Sequence, residues 1–204
     1  MKIAQRKLSP LSLAVLTLLF ERPMHPYEMA QTLKDRGKEQ SIKLRYGSLY
    51  TVIESLERDG LIAPKEISRE GKRPERTVFA ITEQGRDALE IAMSDLLAQP
   101  VKEYPQFEAA LSLMPVLPPD RVVPLLKKRL IALKTEQSAV TTGIEEAKRM
   151  GLPPLFVVET NYRLATLDAE LRFVTQLVAD IEGGAWGGLD EWRGFHATRE
   201  GKPM

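Results

Sequence analysis

The 204-residue sequence predicts a mainly α-helical protein in two parts. Three helices, a two-stranded β-hairpin and a fourth helix come first, and a wholly helical second half follows. Apolar residues recur at helical spacing to about residue 59, alternate loosely over 61–81, then return to helical spacing. Gly60 stands at the first change of pattern and the helix start Thr82-Glu83 at the second. From residue 126 onward the apolar steps settle into fours and threes, the signature of a narrow helical seam.

Ser9-Pro10 supplies an N-cap followed by proline at the first helical position. Leu11, Val15, Leu18 and Leu19 then mark a buried helix that stops near Arg22-Pro23. Pro26 opens a second helix carrying Tyr27, Met29, Ala30 and Leu33, which ends at Gly37. The third runs from Tyr46 to Asp59, with Leu49, Val52, Ile53 and Leu56 on one face and Gly60 as its stop. Residues 61–67 and 76–81 read as half-buried strands flanking a charged tip, Ser68-Arg69-Glu70-Gly71-Lys72-Arg73-Pro74. A fourth helix opens at Thr82-Glu83 and continues through Leu89 and Leu96. This element order is that of a winged helix-turn-helix, with residues 1–98 as one domain and 99–204 as a helical second domain.

In the second half, Leu126, Leu130, Leu133, Gln137, Val140, Ile144 and Ala147 form one seam. Leu164, Leu167, Leu171, Val174, Val178 and Ile181 form another, and Gly151-Leu152-Pro153-Pro154 joins the two helices. The seams either await a partner's helices or cover each other together with a shorter helix around 107–113. The scarcity of other apolar cover favours the partner. The tail 183–204 is rich in glycine, with Trp186, Trp192 and Phe195, and is expected to be poorly regular and to pack by its aromatics.

Composition removes several functions. There is no cysteine, so no disulfide framework, thiolate metal site or cysteine nucleophile can form. The two histidines, His25 and His196, lie far apart, and no metal or cofactor site is expected. No nucleophile elbow, phosphate-binding loop or zinc-protease helix occurs, and Gly183–Gly188 follows a helix rather than a strand. Glu145-Glu146 and Asp190-Glu191 are explained by solvation, and His25 by a turn or capping role, so no catalytic set can be assembled. The longest apolar run, Leu11–Phe20, is too short to span a bilayer and no secretory signal is evident, which predicts a cytoplasmic protein.

The third helix has the groups needed to enter a major groove. Lys43 and Arg45 precede it, where backbone N–H groups also favour phosphate. Tyr46, Ser48, Tyr50 and Thr51 place hydroxyls over its first turn and a half, although at least one tyrosine is expected to be partly core. Lys72, Arg73 and Arg76 furnish the hairpin, whose narrow tip suits insertion beside a minor groove. Bulk charge is less telling: residues 1–95 hold 16 basic and 14 acidic groups. A winged helix used for protein docking without DNA is therefore the alternative.

Three strings resemble the PadR-type transcriptional regulators. They are Leu11–Leu16 with His25-Pro26-Tyr27-Glu28-Met29; Tyr46-Gly47-Ser48-Leu49-Tyr50 with Leu56–Ile62; and Gly71-Lys72-Arg73-Pro74 with Phe79–Arg86. They span about residues 9–90 in the family's order. The resemblance implies a winged-helix DNA-binding domain acting mostly as a dimeric repressor on double-stranded operator DNA. By analogy the third helix reads bases, Tyr27 and Tyr50 lie near phosphates, and Lys72-Arg73 form the wing. Glu75 and Thr77 depart from the family's frequent basic residues after the wing proline. The length of the second half resembles the longer subgroup, in which C-terminal helices make the homodimer. Such regulators often respond to small aromatic or hydrophobic effectors, for which Phe107, Met114, Phe156, Tyr162, Phe173, Trp186 and Trp192 are the candidate contacts.

Overall fold

The computed structural model describes residues 8–43, 45–68 and 76–200, with the side chains at 46, 66–68, 76 and 199–200 outside that description. By its internal contacts the chain divides into two compact units, Met1–Lys102 and Glu103–Met204.

The first unit is built around α1 (Pro10–Glu21), whose N-cap Ser9 accepts the Ser12 N–H at 3.1 Å. Burial on this helix is wider than its periodicity predicts. Leu13, Ala14 and Leu16 are buried along with Leu11, Val15, Leu18 and Leu19. The cause is tertiary: α2 (Pro26–Asp35), α3 (Tyr46–Arg58), strand β2 (Arg76–Ile81) and α4 (Glu83–Ala98) all pack on it. A helix enclosed on several sides is apolar all round. His25 caps α2, its Nδ1 accepting the Tyr27 N–H at 3.1 Å, as its place before Pro26 predicts.

Gly60, at φ +74°, ends α3. Its N–H reaches the Glu57 carbonyl and the Leu61 N–H reaches Leu56, both at 2.9 Å, a left-handed cap sealed by two buried leucines. Strand β1 (Ile62–Ser68) pairs antiparallel with β2, from Ile62 opposite Ile81 to Ser68 opposite Arg76, with an irregularity between Pro64 and Glu66. A third backbone segment joins the hairpin. Met24 and Phe79 exchange two hydrogen bonds of 3.1 and 3.0 Å, fastening the α1–α2 connection to the root of the wing. Thr82 then caps α4 through the Gly85 N–H at 3.0 Å while donating its hydroxyl to the Gly60 carbonyl at 2.7 Å. The expected tip, residues 69–75, lies outside the described residues.

The second unit is dominated by α6 (Pro119–Arg149) and α7 (Val158–Glu182). Gly151, at φ +70°, closes α6 with the same cap geometry as Gly60. Buried Leu133, Val140 and Ile144 of α6 meet Leu167 and Leu171 of α7. Val122 and Leu126 meet Val174, Leu177, Val178 and Ile181. The two seams thus cover each other within one chain, which corrects the expectation that they await a partner. Bonds beside the seam show the direction. Lys127 pairs with Glu182 at 2.6 Å, and Gln137 donates to Asp168 at 2.6 Å. Arg163 pairs with Glu136 at 2.7 Å. Rising numbers on α6 meet falling numbers on α7, so the helices are antiparallel.

The short helix expected near 107–113 is α5 (Gln106–Ser112), whose Phe107 lies under the Arg129 guanidinium, 3.6 Å from the ring centre. The tail also differs from expectation, since Leu189–Glu200 is a regular helix, α8. Leu189 is buried, the Trp192 indole N–H donates to the Leu117 carbonyl at 2.9 Å, and His196 Nε2 lies 2.9 Å from the Pro115 carbonyl. Those contacts, spaced by three and four, hold one face of α8 to its own chain.

Candidate nucleic-acid interface

Helix α3 is divided cleanly along its length. Leu49, Ile53 and Leu56 are buried, while Gly47, Ser48, Tyr50, Thr51, Glu54 and Arg58 are exposed. Tyr50 is 46% exposed, so it is no core aromatic; the Tyr46 side chain lies outside the described residues. At the N-cap, Arg45 makes no side-chain cap bond, and the first turn holds no acidic residue. Its backbone N–H groups therefore face an exposed end flanked by Lys43 and Arg45, a field that favours phosphate oxygen.

Tyr27, in the first turn of α2, is 62% exposed. Its neighbour Glu28 is paired with Arg22. Hydrogen bonding from that guanidinium holds the Glu28 carboxyl below its ordinary 4.5. The first turn of α2 therefore presents a hydroxyl beside a neutralised carboxylate rather than a bare negative charge.

On the exposed side of α3, the Thr51 hydroxyl donates back to the Gly47 carbonyl at 3.1 Å. Arg58 is held at the far end, its guanidinium donating to Ser55 at 2.9 Å. The N-terminal half of the exposed face carries Ser48, Tyr50 and Thr51. Gly47 lies among them and was not singled out by charge or hydroxyl content. Lys72 and Arg73 fall outside the described residues, as does the side chain of Arg76, whose backbone closes the β1–β2 ladder.

The effector candidates are not gathered into one site. Phe107, Met114 and Trp192 pack against the cluster of Val122, Leu126, Val174 and Leu177 in the second unit. Phe156, Tyr162, Phe173 and Trp186 are exposed. A half-open cleft of about 480 Å³ lies instead among Pro119, Val123, Pro124, Lys127, Ile181 and Arg193. No helix among the described residues is long and apolar enough to cross a membrane, and no group of metal-ligating side chains occurs among them.

A helix-turn-helix followed by a β-hairpin, with Lys43 and Arg45 leading into a third helix that exposes one face, is the winged-helix architecture. Residues 15–91 match the PadR-like transcriptional regulator family. Among curated proteins, none matches the chain by sequence. The fold extends the likeness well beyond the matched domain. PadR of Bacillus subtilis, solved in complex with operator DNA, superposes with a TM-score of 0.66 at 18% identity, covering 84% of this chain and 98% of that one. A PadR-like regulator from Bacillus cereus gives 0.58 at 15% identity, over 85% and 99% of the two chains. A Streptococcus mutans protein gives 0.54 at 21%, over 82% and 98%. The B. subtilis protein has also been solved with p-coumaric acid, and that structure gives 0.66 at 17% identity, over 89% and 99%. At these identities the likeness is one of fold.

Proposed function

We propose that this protein is a homodimeric repressor that binds double-stranded operator DNA through α3 and the wing, and that a small aromatic or hydrophobic effector releases it. The observation that carries the reading is the exposed N-terminal half of α3. There Lys43, Arg45, Ser48, Tyr50 and Thr51 surround a helix end without acidic residues. Phosphate contacts from Tyr27, Lys43, Arg45, Lys72, Arg73 and Arg76 supply affinity, and α3 supplies selectivity. Two copies of α3 would enter successive major grooves about 34 Å apart on a near-palindromic site.

Self-association is supported by apolar surface that remains after the seams are used. Ile131, Leu155, Phe156, Val158, Tyr162 and Phe173 of the second unit are exposed in the single chain. Phe156, Tyr162, Phe173 and Trp186 can enclose an effector only if a second copy covers them. The p-coumaric acid bound by B. subtilis PadR makes small phenolic acids the first effectors to try here.

The test is fluorescence anisotropy on duplexes selected from a random pool, titrated across salt concentration. Selective binding with a steep negative slope of log K against log salt is expected. Binding that ignores salt would overturn the DNA reading in favour of protein docking. An effector acting by release must bind free protein more tightly than DNA-bound protein, and equal affinities would remove that part of the mechanism.

A further inference from the structure

Gly47 stands in the first turn of α3 without a duty in the fold. Gly37, Gly60, Gly151, Gly184 and Gly188 have positive φ, and a Cβ at Gly85 would collide with the Leu61 carbonyl. Gly47, like Gly143, Gly187 and Gly194, has neither requirement: its φ is not positive, and among the described residues a Cβ there would meet nothing within 4 Å; of these four it is the one in the first turn of α3. An exposed helical position of this kind favours alanine over glycine, so the helix itself gains nothing from the missing side chain. One turn on, Thr51 lies on the same face. Its hydroxyl proton is committed to the Gly47 carbonyl at 3.1 Å, so towards a ligand the side chain offers a methyl and an acceptor oxygen but no donor. Bare backbone beside a threonine methyl makes a small, partly apolar notch on the exposed face of α3.

We propose that this notch receives the 5-methyl group of a thymine. The inference rests on the DNA-binding reading above and specifies what α3 selects. In the major groove thymine alone presents a methyl, and threonine is among the side chains that meet it by apolar contact. A residue with a Cβ at position 47 would occupy the space the methyl needs. The Thr51 hydroxyl, held to the backbone, does not compete as a base-edge donor. Gly47 and Thr51 are therefore specificity residues, distinct in role from the cations that hold phosphate.

The experiment uses the full-length protein and a duplex selected by it from a random pool. Each thymine of one half-site is replaced in turn by deoxyuridine, which removes the 5-methyl and nothing else. One position is expected to lose about fourfold in affinity per half-site, the yield of burying one methyl group. Thr51→Ser keeps the hydroxyl bond and deletes the protein methyl; Gly47→Ala fills the notch. Both variants should hold the wild-type melting temperature or exceed it, bind the thymine duplex less tightly, and no longer distinguish thymine from deoxyuridine at that position. If no replacement changes affinity by more than twofold, or if both variants keep the full discrimination, the notch is not a thymine reader. Selective wild-type binding in that same experiment would leave the DNA-binding reading standing, whereas a pool yielding no selected duplex would overturn both.

Discussion

A methyl group added at Gly85 would sit 2.0 Å from the Leu61 carbonyl oxygen, an obstacle that is backbone and cannot rotate away. Gly85→Ala is expected to cost about 1–3 kcal/mol or more, read as a lower Tm in thermal denaturation. The same atom, the Leu61 carbonyl, accepts the Thr82 N–H at 3.1 Å, so the close approach of α4 to the α3–β1 turn is where the substitution acts. A smaller effect is expected at Glu21. Hydrogen bonding from Arg36, at 2.5 and 2.7 Å, holds its carboxyl below the ordinary 4.5 and raises the Arg36 guanidinium. A lowered carboxyl pKa stabilises the fold above the unfolded value, and that stability is lost as pH falls through the folded value. The pair is nearly half exposed, so Glu21→Gln should cost about 0.2–1 kcal/mol at neutral pH, discounted for solvent screening. Urea denaturation at pH 7 and again well below pH 4.5 should show the difference vanish in acid. At this scale the sequence was informative where a residue acts on its neighbours: Ser9, His25 and Thr82 all cap the helices that follow them. It was silent on Gly85, because a glycine's close contact is made with backbone 24 residues earlier, and on Gly47, where charge and hydroxyl content carry no signal.

Among the elements, α7 bears the heaviest burial in the second unit, with Val174 fully buried and Leu177 only 2% exposed. Leu177→Ala should cost about 2–5 kcal/mol, measured by denaturant unfolding of the full chain. On α8, Trp192→Phe keeps the ring and removes the indole donor to Leu117, at a cost of about 0.5–1.5 kcal/mol. Limited proteolysis should then cut between 183 and 200 faster than in the wild type. The periodicity of α6 and α7 was legible residue by residue, yet a seam reads the same whether its cover lies in the same chain or another. What decides is the short return through Gly151, which brings α7 back along α6 before any second copy is needed. The tail misled for the opposite reason. Glycines at 183, 184, 187, 188 and 194 argue against a helix. Tertiary anchors at Leu189, Trp192 and His196 outweigh that local preference.

For the proposed dimeric DNA reader, removing two wing cations offers a test at the scale of the whole molecule. Lys72→Ala with Arg73→Ala should flatten the salt dependence by about one unit of slope per lost phosphate contact in each half-site. Sedimentation should show oligomeric state unchanged; dissociation would mean that these residues hold the protein together rather than grip DNA. The winged-helix order was legible because each boundary carries glycine, proline or a cap, whereas the proposed pairing of two copies leaves no local signal in one chain. The Met24–Phe79 bridge has a consequence for how the protein is made. It joins residues 55 positions apart, and Leu89 completes the same core from further along. As the chain leaves the ribosome from its N-terminus, α1 to α3 can form as local helices but cannot close. The reading head locks only after β2 and the first turns of α4 have emerged. A nascent chain halted before Phe79 would carry α3 with no wing root beneath it, and competence to recognise DNA would arrive in one step, late in the synthesis of the first unit.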